Sequence, residues 1–470
     1  TGNIDLADNG KLLLGAGDDF EIYSGGTHTI FKNNNAAGNV YFQTDTVVHF
    51  TNGANTEEHL TINDDGAVDL YHNGSKKLAT TSTGIDVTGN VNGLAITTTA
   101  TSNIGLGSTA VDSITTGDYN VGLGVNAGTA ITTGSRNTAT GHGALEDNTT
   151  GNYNIAIGAF SLTNNTTASN NTAVGYTALW ANTTGTGTAV GEASLYTNTT
   201  GTDNTAIGQL ALFANTTGAE NSALGKSAMQ ANTTGTLNVA IGNFALGNNT
   251  TGSYCVAIGR SALRSNTGAS NNTAVGYNSL WANTTGLRNT ATGANSLKTN
   301  TTGSENTANG YDSLQANTTG ASNVAVGREA MYSNTEGDFN TSIGHTALGF
   351  NTTADNNTAV GYHALRANTT AANNTAIGRS ALRVNTTGAN NTATGYQSLY
   401  DNTTGSENTA FGKGTLENNT TAGDNTALGS FSMNTNTTGA NNVAVGRLAL
   451  RYNTTASNNT AIGYAALTAN

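Results

Sequence analysis

A recurring glycine paces most of this chain. It closes the phrase "TAVG" or a close variant at Gly107, Gly124, Gly141, Gly158 and Gly175, then at Gly191, Gly208 and onward in steps of seventeen to Gly463, 22 copies in all. The series slips once, losing a single residue in "TTGTGTAVG" between Gly175 and Gly191. Units this short cannot bury a core alone and must stack on their neighbours. Helical repeats are longer, and "NTTG" together with "NNT" would break a helix twice per unit. Short strands joined by Asn and Gly turns fit the period, so each repeat reads as one coil of a β-solenoid.

The coil beginning at Asn356, "NNTAVGYHALRANTTAA", shows what stacking requires. Faces alternate along "NTAVG". Placing the larger side chain inside puts Thr358 and Val360 on one face, with Val360 over Ile343 and beneath Ile377, and Ala359 on the other. A second short strand is expected to carry Ala364 and Leu365. Asn368-Thr369-Thr370 reads as a turn, with Asn368 in an amide ladder between Asn351 and Asn385. At about 4.8 Å per coil, the repeats would make a rod of about 100 Å. One Val and one Leu are a small apolar gain against the entropy of ordering a coil. A second apolar surface, Ala359 and Ala364 closing against another chain, is therefore expected. That makes the rod a multimer, with a trimer as the leading form.

Composition agrees with a fully paired backbone. Proline is absent, as a chain whose N–H groups nearly all donate to a neighbouring strand would need. Charged residues are only 10 %, and disordered low-complexity chains usually carry both proline and high charge. The net charge is −12, divided as −8 over residues 1–100 and −4 over 101–470, which does not suit a nucleic-acid binder or an anionic-membrane binder. A single cysteine, Cys255, excludes an internal disulfide framework. No apolar run is long enough for membrane insertion as a spanning helix.

Residues 1–100 lack the period and read as a β-rich shaft or assembly region of short alternating pieces, "FEIYS", "VVHF", "HLTIN" and "AVDLYHNG". Residues 101–470 form the solenoid. The chain stops at Asn470 without a polar capping segment, so the expectation is either that a further segment is missing there or that the open coil stacks on another molecule.

The phrases "NNTAVGYTALWANTTG" and "NTAIGQLALFANTTG" resemble the head repeats of trimeric autotransporter adhesins, built on an "NS-V-A-I-G" motif. They are also similar to "NTAVGYxALxxNTTG" arrays in tail-fibre-like proteins of bacteriophages and environmental bacteria. Residues 63–91 look like shaft segments of phage tail fibres. The resemblance implies a trimeric β-roll, an extracellular place of work and a structural rather than enzymatic role. The fibre would be a homotrimer, extending or displaying something at a distance or polymerising end to end into a filament. The alternative is a tail-fibre or adhesin module that binds cell-surface glycans.

Positions that vary from coil to coil should face solvent. After the glycine these run Tyr176, Glu192, Gln209, Lys226, Asn243, Arg260 and Tyr277. After the leucine stand Trp180, Tyr196, Phe213, Trp281, Tyr332 and Tyr400, the candidate glycan contacts, with packing over neighbouring coils or across the multimer the simpler reading. Stacked carboxylates occur at Asp203 with Glu220 and at Glu407 with Asp424. They sit in turns without inserted loops to form a cleft, so a solvated face is favoured over glycosidase chemistry and no catalytic residue is assigned. Arg288 and Glu305 should form a surface ion pair. Asp64, Asp65 and Asp69 could bring oxygens to calcium, the one cofactor considered, although an Asp-rich turn is the simpler reading. Cys255 replaces a ladder asparagine as a small buried substitute.

Overall fold

The structure, a computed structural model, describes residues 11–14, 20–24, 29–33 and most of 46–97, then Ser102–Thr468 without a break. The chain divides into two compact units, Thr1–Leu94 and Ala95–Asn470.

In the first unit, β1 (Lys11–Leu14), β2 (Phe20–Ser24) and β3 (Thr29–Asn33) form an antiparallel meander. A second meander joins β4 (Val47–Thr51), β5 (Glu58–Asn63), β6 (Val68–His72), β7 (Ser75–Thr81) and β8 (Gly84–Val87) in chain order. The tight turn at Asn73-Gly74, both with positive φ, closes β6 onto β7. The expected β-rich pieces are therefore strands of antiparallel sheets.

The second unit is a β-solenoid. The first unit ends with β9 (Asn90–Val91), β10 (Leu94–Thr97) spans the boundary, and 22 short strands follow, from β11 (Ile104–Leu106) to β32 (Thr460–Ile462). Successive strands pair in parallel and in register. Thr358, Ala359 and Val360 of β26 (Thr358–Val360) meet Thr375, Ala376 and Ile377 of β27 (Thr375–Ile377). The one-residue slip is absorbed outside the strands. Gly187, the first residue of β16 (Gly187–Val190), takes the place of the ladder asparagine, its N–H donating to Asn171 Oδ1 at 2.8 Å, and Ala173 still pairs with Ala189.

The face assignment within each strand is the reverse of expectation. Ala359, Ala364 and Leu365 are fully buried inside the coil, whereas Thr358 and Val360 point outward. The interior is too narrow for the alternative. At Gly105 and Gly122, which occupy the position of Ala359 in the first coils, a Cβ would already lie 2.7 and 2.9 Å from the carbonyl oxygens of Ala110 and Ala127. The column accepts only Gly, Ala and, once, Ser342, whose hydroxyl donates to Ala347 O at 2.7 Å, and leucine fills most of the remainder. The expected second strand is also absent. The stretch after each glycine is a run of turns in which His363 and Leu365 adopt φ of 56° and 49°. Side chains with a Cβ enter that region at a cost of about 1–2 kcal/mol each, so interior packing and hydrogen bonds must hold them there.

Two asparagine ladders do much of that holding. Asn368 Nδ2 donates to Asn351 Oδ1 at 3.0 Å in the preceding coil and to Ala371 O at 2.9 Å in its own. The same pair of bonds recurs from Asn165 to Asn453, always with the donor in the later coil. In the second ladder the backbone N–H of Asn391 donates to Asn374 Oδ1 at 3.0 Å. Thr369 Oγ1 adds a bond to Thr386 O at 3.2 Å. The conserved-phase glycines stack directly, and a Cβ on Gly361 would sit 2.6 Å from Gly378 O.

Candidate functional site

The turn-and-interior geometry sorts the outer surface into columns, one residue per coil. Two columns come from the strands themselves, at the positions of Thr358 and Val360. No residue in either is charged over the whole solenoid. In the Val360 column every residue is Val, Ile, Leu or Phe except Thr140, Thr292, Asn309 and Thr394. Many are well exposed, among them Leu224 at 47 %, Ile343 at 42 % and Phe411 at 57 %.

The charges lie elsewhere. Apart from Arg136 and Arg288, every basic residue of the solenoid follows either the glycine or the leucine, as Arg379 and Arg383 do. Carboxylates gather in the opposite turn, where Asp203, Glu220, Glu407 and Asp424 are exposed and hold positive φ. Thr186 Oγ1 donates to Asp203 Oδ1 at 3.2 Å. The expected pair of Arg288 and Glu305 is made at 2.7 Å, with both side chains more than half exposed, so it contributes little.

The six aromatic candidates do not behave alike. Trp180, Tyr196 and Phe213 stack on one another in successive coils, with centroids 5.1 and 5.2 Å apart and planes within 8° and 7°. Both faces of Tyr196 and one face each of Trp180 and Phe213 are covered this way. Tyr400 receives a hydrogen bond from Arg383 Nη1, and the Arg383 guanidinium lies 5.4 Å from its ring centroid. Trp281 and Tyr332 remain open, at 37 % and 38 % exposure.

An alternation missed in the sequence runs along the column after the glycine. Arg379 sits 5.7 Å from Tyr362 and 5.8 Å from Tyr396, and Lys413 is 5.8 Å from Tyr396. These are cation–π contacts between coils, and the strict period could have exposed them once the column was written out. His363 lies beside this cluster. Partial burial, followed by the charges of Arg366 and Arg383, holds its pKa below the ordinary value.

Cys255 is a buried rung of the second ladder. Its N–H donates to Asn238 Oδ1 at 2.9 Å, and burial pushes its thiol pKa up to about 11. Asparagines of the "NTT" turns, such as Asn368, are also fully buried, so their amides are unavailable for N-glycosylation in the folded coil.

In the first unit, Asp69 is buried and pairs with Lys76 Nζ at 2.8 Å, so this carboxylate already has a cation. Of its expected calcium partners, Asp65 lies outside the described residues. Among the described residues no group of three or more His, Cys, Asp or Glu is arranged to hold a metal ion, and no helix is long and apolar enough to cross a membrane. Comparison with known proteins gives no matching family, no matching curated relative and no matching solved structure.

Proposed function

We propose that the chain is a structural fibre protein whose solenoids associate side by side into a homotrimeric shaft. The observation that carries this reading is the charge-free outward strand face. At about 4.8 Å per coil and about 3.3 Å per strand residue, that face offers on the order of 1,000 Å². Exposed apolar patches beyond a few hundred Å² mark interaction surfaces, and about 800 Å² per partner suffices for a stable interface. The Val360 column would meet its copies, replacing the alanine surface expected from sequence. A count of three follows the likeness to autotransporter head repeats, which also supports an extracellular place of work. Its task is mechanical, spanning distance and displaying what it carries, with end-to-end joining into filaments as a further step.

Sedimentation equilibrium at micromolar concentration tests this. A mass three times that of the chain is expected, falling to one in Ile343→Lys/Val360→Lys/Ile377→Lys with the β circular-dichroism signal retained. A wild-type chain that sediments as a monomer overturns the reading. Electron microscopy separates discrete rods from growing threads.

A second reading, recognition of cell-surface glycans, is favoured by the open faces of Trp281 and Tyr332. The two readings are compatible, because these residues lie on columns other than the strand face.

A further inference from the structure

In the column after the leucine, Tyr332 and Arg366 stand two coils apart with Gly349 between them. Where successive rungs are aromatic, as at Trp180 and Tyr196, they fill the column at 5.1 Å spacing. Gly349 therefore leaves one rung empty, and the vacancy is a pocket of about 310 Å³. Tyr332 forms one end of it and Arg366 the other, with the Arg366 guanidinium held 4.8 Å from the Phe350 ring centroid. Asp312 and Glu329 line one side.

The polar groups are set for a particular kind of ligand. Asp312 Oδ1 accepts from Asn295 Nδ2 at 3.0 Å, and Glu329 Oε1 accepts from Arg328 Nη2 at 2.9 Å. That leaves the second oxygen of each carboxylate to accept from a visitor. Arg366 brings a guanidinium to the pocket lining. Two acceptors, a neighbouring cation and an aromatic face call for a neutral molecule with several hydroxyls and a flat C–H patch. Paired carboxylates repel an anion, the guanidinium repels a cation, and a plain aromatic ring would leave both carboxylates unanswered.

We propose that the empty rung at Gly349 is a subsite for one pyranose unit of a neutral glycan. The sugar's C–H face lies on the Tyr332 ring, its hydroxyls donate to Asp312 and Glu329, and the Arg366 side chain bounds the far end. This deepens the glycan-binding reading and rests on it for the class of ligand, while it is independent of how the rods assemble.

The test uses the full chain and the methyl glycosides of glucose, galactose, mannose and N-acetylglucosamine, followed by saturation-transfer NMR. A single pyranose has few atoms, so affinity on the order of millimolar is expected. At least one glycoside should receive saturation at its ring C–H protons. Gly349→Tyr refills the rung with a side chain that neighbouring coils carry at this position, and should weaken binding by about tenfold or more. Tyr332→Ala should do the same, and Tyr254→Ala, at an exposed ring in the opposite turn, should leave binding unchanged. Binding that survives both Gly349→Tyr and Tyr332→Ala but is lost in Trp281→Ala overturns this subsite and keeps the glycan reading. Absence of transfer to all four glycosides overturns both.

Discussion

Asn368 of one coil and Asn351 of the coil before it are joined amide to amide at 3.0 Å, inside a protein whose interior offers them no water. This bond lets the coil carry a polar residue at its centre. The same Nδ2 makes a second bond, to Ala371 O, a turn carbonyl that would otherwise be stranded. Removing it in Asn368→Ala deletes two buried bonds and takes the acceptor from Asn385 Nδ2, which donates to Asn368 Oδ1 at 3.1 Å. A loss of about 2–3 kcal/mol is expected. Amide hydrogen exchange should show it as lost protection centred on coils 351–385 and fading along the rod. Uniform protection equal to wild type would contradict the ladder's role.

Cys255 is a weak rung of the second ladder. Its sulfur is a poor acceptor where other coils offer an asparagine oxygen, so Cys255→Asn should raise stability by about 1 kcal/mol in chemical denaturation. The thiol itself should be silent to alkylation at pH 8 in the native state and react on unfolding. With a folded pKa of about 11 against 9.0 unfolded, its contribution is complete below pH 9 and is lost as pH rises through 11. Rapid native-state labelling at pH 8 would refute the buried placement.

His363 should titrate below 6.5, because partial burial and the nearby guanidinium groups disfavour its charged form. The unfolded chain then takes up protons first as the pH falls through 6.5, so stability declines there and levels off beneath the folded pKa. The effect is small for a ring that is partly exposed, and His363→Gln should remove it. A proton NMR titration of the ring gives the answer directly, and a midpoint at or above 6.5 would show that the charge cluster does not act on it.

Tyr196 is sandwiched between Trp180 and Phe213, so Tyr196→Ala removes two stacking contacts whereas Phe213→Ala removes one. Costs of about 1–3 and 0.5–1.5 kcal/mol are expected beyond the change in burial. Near-ultraviolet circular dichroism should report the coupled Trp180–Tyr196 pair and lose that band in Tyr196→Ala. A band unchanged by the substitution would mean that the rings do not stack in solution.

The period made the solenoid legible, since seventeen residues with two breaker clusters admit little else. The ladder at Asn368 was legible too, because a fixed period puts like over like. The inward face was not. Alternation offers two ways to turn "TAV", and size favours Val360 inside until the narrowness of the coil is known. Leu365 with positive φ was equally hidden, as leucine seldom enters that region on its own account. The pocket at Gly349 arises from a missing side chain at a position free to vary, which a motif search passes over.

Each rung of the asparagine ladder from Asn165 to Asn436 donates toward the N-terminal end of the solenoid and accepts from the C-terminal side, as Asn368 does between Asn351 and Asn385. The interior therefore has a heading, like a row of compass needles. Two such columns can be spliced so that the row continues only nose to tail. Set nose to nose, they would confront donor with donor, and set tail to tail, acceptor with acceptor. Any thread made by joining these coils has its direction of travel written into the side-chain amides at its centre.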